Sequence, residues 1–328
     1  MKKYIVIGLL ALVIVTIVAA AIVLLEPDFD AAAVDAKYTN QASQFFTTTD
    51  NARVHFRDQG NAKGAPLVLV HGSNASLHTW EPWIKILGAT YRVITLDLPG
   101  HGLTGAVPTN RYDSQAQVQT VAALTQHLGI NRFALGGNSM GGGVTWRYAL
   151  QHPEQVSAMI LVDASGLSEW REDPSTTPNE DDGPLVFRLL RKPWFRRIAA
   201  HLDTKSLTAQ GLRSAFDDTS KVTDEMIDLY YNMSMRTGTR AATIQRFAAY
   251  GSETATTAAD LATLGMPTLI LWGETDTLIP VDHANRFAAT LPDAELIVYP
   301  NVGHLPMEEI PERSGNDTLS FLQAKLDQ

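Results

Sequence analysis

Cysteine is absent from all 328 residues. Disulfides, thiolate metal sites and a cysteine nucleophile are therefore excluded, as is a diacylglycerol lipoprotein anchor, while the redox compartment stays undecided. Positive charge is scarce: 26 Lys and Arg stand against 35 Asp and Glu, a formal net charge of −9. A chain of that sign lacks the phosphate-neutralising surface on which nucleic-acid binders depend. No cluster of His, Asp or Glu has ligand spacing, so no metal is expected, and no other cofactor either. Internal repeats and low-complexity tracts are also missing. Against 19% charged residues there are 45% hydrophobic ones, which is a globular composition able to build a large core.

The longest feature present is an uncharged run from Ile5 to Leu25, preceded by Lys2 and Lys3 and followed by Glu26, Asp28 and Asp30. As a helix it would measure about 32 Å, enough to cross a hydrocarbon core of ~30 Å. Residues 1–25 thus read as a short cytoplasmic start and a transmembrane anchor. The positive-inside rule sends the remainder to the periplasmic or extracellular side. A signal peptide cleaved to release a secreted protein is the alternative, although no clean small-x-small site follows the run. Residues 26–44, Ala-rich and acidic without apolar periodicity, read as a linker.

From residue 45 the pattern alternates. Phe45–Thr48 and Arg53–Arg57 form a hairpin around Thr49-Asp50-Asn51. Buried strands follow at Leu67–Val70, Arg92–Leu96, Arg132–Leu135, Met159–Val162, Leu269–Trp272 and Leu296–Tyr299. Helices fall at Trp80–Leu87, Ser114–Leu128, from the glycine-rich turn to Gln151, at Val281–Thr290 and at Pro311–Lys325. Continuous apolar strands between helices indicate an α/β class with a mostly parallel sheet flanked by helices. Residues 45–167 and 251–328 make this core. Residues 168–250, helical and punctuated by Pro174, Pro178, Pro184 and Pro193, read as an inserted helical cap.

Three segments carry chemistry. Gly137-Asn138-Ser139-Met140-Gly141 fits G-x-S-x-G between a strand and a helix, where a tight turn lifts a serine hydroxyl above the sheet edge. A serine needs a base to take its proton and an acid to orient that base. Asp276 follows the strand at Leu269–Trp272, and His304 follows the strand at Leu296–Tyr299. Ser139, Asp276 and His304 therefore read as nucleophile, acid and base, with Glu274 and Asp163 as rival acids. The oxyanion needs donors as well. One is the backbone N–H of Met140, and the other belongs to His71-Gly72-Ser73-Asn74, Ser73 first and Asn74 second. His71 and His101 read as structural.

Together with Asp97-Leu98-Pro99-Gly100-His101-Gly102, these motifs resemble the α/β-hydrolase superfamily over residues 45–328. The resemblance implies an α/β-hydrolase fold and a serine carboxylesterase or lipase-like activity through an acyl-enzyme. Serine at 139 argues against the dehalogenases and epoxide hydrolases of the family, which carry aspartate there. Gly-Asn-Ser-Met-Gly also resembles the carbon–carbon hydrolases of aromatic meta-cleavage products, which often carry an aromatic residue after the catalytic histidine. This chain has Leu305-Pro306-Met307. A non-catalytic binding module of the same fold is a third reading, opposed by the intact Ser, Asp and His. The expected partner is a small-molecule ester with an apolar acyl part. Trp170, Phe187, Trp194, Phe195, Tyr230, Tyr231, Met233 and Met235 in the cap are either packing or the wall of its pocket. Arg188, Arg191, Lys192, Arg196 and Arg197 are either a solvated face or a membrane-facing patch.

Overall fold

Short runs of Val, Ile and Leu offer no polar face to water, and the chain buries them on both sides. A computed structural model describes residues 25–170, 192–248 and 256–326. Eight strands form one sheet in the order β1-β2-β4-β3-β5-β6-β7-β8. They are β1 (Ser43–Thr47), β2 (Arg53–Gly60), β3 (Pro66–Val70), β4 (Arg92–Leu96), β5 (Phe133–Asn138), β6 (Val156–Val162), β7 (Thr268–Gly273) and β8 (Ala294–Tyr299). The β1–β2 hairpin joins antiparallel, and β4, β3 and β5 to β8 run parallel to one another.

Period-two alternation divides each central strand between two cores. Val68, Val70, Leu135, Met159, Leu161 and Ile270 face one core. It is covered by α3 (Ser114–His127), α4 (Met140–Gln151) and α10 (Asp282–Thr290). Leu67, Leu69, Ala134, Ile160, Leu269 and Leu271 face the other. There α2 (Glu81–Leu87) packs on α12 (Pro311–Leu326), and Trp83 Nε1 donates to Ser314 Oγ at 3.0 Å. Burying each large aliphatic side chain contributes about 1.5–3 kcal/mol, so this two-sided core can hold strained turns at its edge.

Within residues 168–250 the described part has no strand of the sheet. It contributes α5 (Pro193–Ala199), α6 (Lys205–Ala215), α7 (Asp224–Met235) and α8 (Thr239–Ala248). Leu212, Ala215, Phe216 and Ile227 merge with the second core, so the cap sits on the sheet's flank through apolar contact. The short helices α9 (Ala258–Leu261) and α11 (Pro306–Glu309) complete the set. Of the cap aromatics, Trp170 packs edge-on against Phe287 of the main core, Tyr231, Met233 and Met235 are buried, and Trp194 is 58% exposed. Phe187, Arg188 and Arg191 lie outside the described residues.

Residues 26–44 are not a linker. Asp30 caps α1 (Ala31–Tyr38) by accepting from Ala33 N. Two of the acidic residues that suggested solvation are paired with cap arginines. Asp28 accepts from Arg240 at 2.6 Å, and Asp35 accepts from Arg236 at 2.8 Å and from Arg53 at 3.1 Å. Backbone bonds from Glu26 N to His201 O and from Phe29 N to Met235 O complete the fastening. The cap partners lie some 200 residues away, so local composition carries no trace of them. Residues 5–24 of the expected membrane span lie outside the described residues. Among those described, no helix is long and apolar enough to cross a membrane.

Candidate active site

At the end of β5 the backbone turns sharply. Ser139 has φ +52° and ψ −118°, a conformation costing about 1–3 kcal/mol for a residue with a side chain. The flanking glycines are steric necessities. A Cβ at Gly137 would lie 2.3 Å from the Gly141 carbonyl, and one at Gly141 would lie 2.2 Å from Val70 O. Ser139 N donates to Val162 O and Ser139 O accepts from Ser165 N, which ties the turn to β6. Met140 then opens α4, so its N–H is among those with no acceptor inside the helix.

The His304 ring bonds the Asp276 carboxylate, Nδ1 to Oδ2, at 2.6 Å. Asp276 Oδ1 accepts from Leu278 N at 2.7 Å and Ile279 N at 3.1 Å, which aims the other oxygen at the ring. The rival Glu274 is exposed. Asp163, the second rival, is fully buried with φ +43° and accepts from Gly273 N at 2.9 Å. One of its carboxylate oxygens, an Asp276 carboxylate oxygen and a His304 ring nitrogen all lie within 4.8 Å of one another. Burial first, and the Asp276 charge second, push the Asp163 carboxyl well above its ordinary value. The same trio would be the metal-ligand cluster among the described residues, but His304 Nδ1 is already engaged by Asp276.

Hydrogen bonds of Asn138, Glu309 and His304 bring these loops together. Asn138 Nδ2 donates to His304 O at 3.1 Å and to Val162 O at 3.2 Å, linking the residue before the serine to the histidine loop. Glu309 accepts from Gly303 N, Asp218 N and Asp217 N at 2.8, 2.8 and 3.3 Å, and His304 N donates to Ala215 O. The histidine loop is thus clamped to the end of α6. On the other side, a Cβ at Gly72 would lie 3.2 Å from Ser139 Cβ, so the loop after β3 runs directly past the serine.

That loop holds Ser73 and Asn74. Both accept from one guanidinium, Arg246 of α8, at 2.7 and 2.9 Å. His71 is structural as expected. Its Nδ1–H donates to Gly72 O, its Nε2 accepts from Leu98 N, and burial lowers its pKa. His101 is fully buried, and burial followed by the Arg246 charge drives its pKa well down. Asp97 braces the loop by accepting from Leu77 N, Leu103 N and the His55 ring. Burial would raise it, but the bond and charge of His55 outweigh that and hold it far below the carboxylate range. Behind the site, Tyr230 of the cap donates to Glu308 at 2.6 Å, and burial raises both.

Sequence reasoning named Ser139, Met140, Ser73, Asn74, Asp276 and His304, and the fold gathers these segments at the C-terminal edge of the parallel strands. It missed Asn138 as a clamp, Glu309 and Arg246. Asn138 lay inside the motif and could have been found there. The other two act across long sequence separations and leave no local signal.

A profile of the alpha/beta hydrolase fold family matches residues 65–311. A 2-hydroxy-6-oxo-6-phenylhexa-2,4-dienoate hydrolase of Burkholderia cepacia is 29% identical, covering 85% of this chain and 96% of that protein. A thermophilic esterase from Thermogutta terrifontis superposes with a TM-score of 0.67 at 26% identity, over 86% of this chain and 98% of the other. A bacterial membrane phospholipase A superposes with a TM-score of 0.70 at 24% identity, over 100% of both chains. At that identity the last likeness concerns the fold.

Proposed function

The chain belongs to the alpha/beta hydrolase fold family, and from that premise we propose that it is a serine hydrolase acting through an acyl-enzyme. The observation that carries this is the 2.6 Å bond from His304 to Asp276 beside a serine held at φ +52°. Ser139 Oγ attacks a carbonyl carbon while His304 Nε2 takes its proton, and Asp276 holds Nδ1–H so that Nε2 faces the serine. The developing oxyanion is met by the N–H of Met140 and an N–H of Ser73 or Asn74. His304 returns the proton to the leaving group. Water then adds to the acyl-enzyme with the same base, releasing a carboxylic acid and Ser139.

We propose a carbon–carbon bond in a meta-cleavage-type diketo acid as the bond broken. The support is the relative from Burkholderia cepacia, which matches along nearly its whole length. Here the leaving group is a carbanion, so the proton from His304 must reach carbon, which is feasible where a conjugated carbonyl holds the electrons. Carboxylic ester hydrolysis is the second reading. Leu305-Pro306-Met307, with no aromatic residue after His304, favours it, and the esterase likeness is compatible with it. Membrane attachment through residues 5–25, with the domain outside the cytoplasm, is a proposal resting on the uncharged run.

The test is a substrate panel run with Ser139→Ala as the blank. Esters graded by acyl length are compared with 2-hydroxy-6-oxo-6-phenylhexa-2,4-dienoate. The higher kcat/KM selects between the bonds. Folded protein that a fluorophosphonate does not label at Ser139 refutes the serine-hydrolase reading.

A further inference from the structure

Arg246 stands near the C-terminal end of α8, on the cap, yet both arms of its guanidinium reach the loop after β3. Nη1 donates to Ser73 Oγ at 2.7 Å, Nη2 donates to Asn74 Oδ1 at 2.9 Å, and Nη1 lies 3.7 Å from Met140 Sδ. One side chain from a separate part of the fold thus touches every residue assigned above to the oxyanion donors. Asn74 has φ +59°, a left-handed conformation that asparagine tolerates better than most residues with a side chain.

The other end of the same helix is tied to the N-terminal segment. Arg240 donates through Nε and Nη2 to Asp28 Oδ1 at 2.9 and 2.6 Å, through Nη2 to Glu26 O at 2.8 Å and through Nη1 to Leu202 O at 2.7 Å. Gly238 N, just before the helix, donates to Asp28 Oδ2 at 2.9 Å. Both arginines are almost fully buried, 5% exposed at Arg240 and 9% at Arg246. Six helical steps separate them, a rise of about 9 Å. Between them Ala242 lies against the loop that carries His101, because a Cβ at Gly100 would sit 3.3 Å from Ala242 Cβ.

We propose that Arg246 is a positioning residue for the oxyanion loop, kept in place by the segment 25–35 through the Asp28–Arg240 pair. The proposal rests on the serine-hydrolase reading above. A planar guanidinium fixes the spacing of its two acceptors, which a lysine ammonium cannot do. Donors to an oxyanion are effective when they are aimed before the reaction, so loosening the loop weakens the transition state more than the bound substrate. The fastening of the N-terminal segment thereby becomes part of the catalytic geometry.

The experiment uses the full chain with Arg246→Gln, Arg246→Lys, Asp28→Asn and the Asp28→Asn/Arg246→Gln pair. It measures kcat and KM for p-nitrophenyl butyrate, inhibition by phenylboronic acid, and melting temperature. Arg246→Gln is expected to lower kcat by roughly 10–100-fold with KM nearly constant, and to weaken the boronate, a tetrahedral mimic, in parallel. Arg246→Lys should restore part of the loss. Asp28→Asn should lower kcat by about 3–10-fold, and should add nothing in the Arg246→Gln background. Melting temperatures close to wild type separate these effects from general destabilisation, and Arg246→Lys and Asp28→Asn keep the test open should Arg246→Gln not fold. An unchanged kcat, or a loss confined to KM, overturns the positioning role. Full additivity of the two substitutions overturns the part played by residues 25–35. Wild-type protein that a fluorophosphonate does not label fails the underlying reading instead.

Discussion

Asp163→Asn gives a measurable account of the crowded carboxyls behind His304. The substitution keeps the shape of the side chain and the acceptor for Gly273 N, and it removes the titrating proton. Asp163 is fully buried beside Asp276 and His304, and burial followed by the Asp276 charge raises its pKa well above 3.8. The folded state therefore binds this proton more tightly than the unfolded chain does. The stability contributed is fully present below about pH 4 and is lost as pH rises toward the folded-state pKa, at ~1.4 kcal/mol per pH unit. Asparagine does not titrate, and every other group is common to both proteins. Wild type and variant should thus be similarly stable near pH 4, and the variant should gain progressively on wild type as pH rises above that, at up to ~1.4 kcal/mol per pH unit. Urea denaturation of both proteins at half-unit steps from pH 4 to 7.5 reads the difference directly. A difference that stays flat over this range refutes the reasoning, because Asp163 would then titrate alike in both states. Turnover should survive, since the His304 bond goes to Asp276.

Asp276→Asn should lower kcat by roughly 10³–10⁴-fold without unfolding the protein, because the amide presents a donor to His304 Nδ1 and reverses the tautomer; steady-state kinetics at constant pH checks it. Glu309→Ala removes the acceptor of the buried Gly303 N–H and of two part-buried N–H groups, those of Asp217 and Asp218, and should cost about 1–3 kcal/mol by chemical denaturation together with a fall in kcat. Gly141→Ala places a Cβ 2.2 Å from Val70 O, so it should abolish turnover even where far-ultraviolet circular dichroism reports a folded sheet. A retained kcat would mean that the turn can open without penalty.

The sheet was legible because its strands are short apolar runs whose neighbours are turns and amphipathic helices. Each of the eight lies within a few residues of its expected position, and Phe133–Asn138 ends directly on the serine turn. The positions of Ser139, Asp276 and His304 were legible for the same reason, since strand ends are local features. Residues 26–44 were misread because their helix is weakly amphipathic and its partners, Arg236 and Arg240, belong to the cap. Arg246 was invisible because a polar residue on a polar helix gives no hint of facing inward. Long-range ion pairs and clamps emerge from packing, whereas catalytic turns are encoded where they occur.

The docking of residues 25–38 on the cap also fixes an orientation. Glu26 N donates to the His201 carbonyl, so residue 26 sits on the cap side of the domain. A chain shortened to begin at Leu25 and coupled to a bead or a fusion partner through that end will therefore present its cap toward the support. A slack tether would have let it turn freely. Crowding by the support should consequently slow substrate entry for immobilisation at Leu25, and a flexible spacer inserted between the support and Leu25 should relieve it while leaving the Asp28 and Asp35 contacts intact.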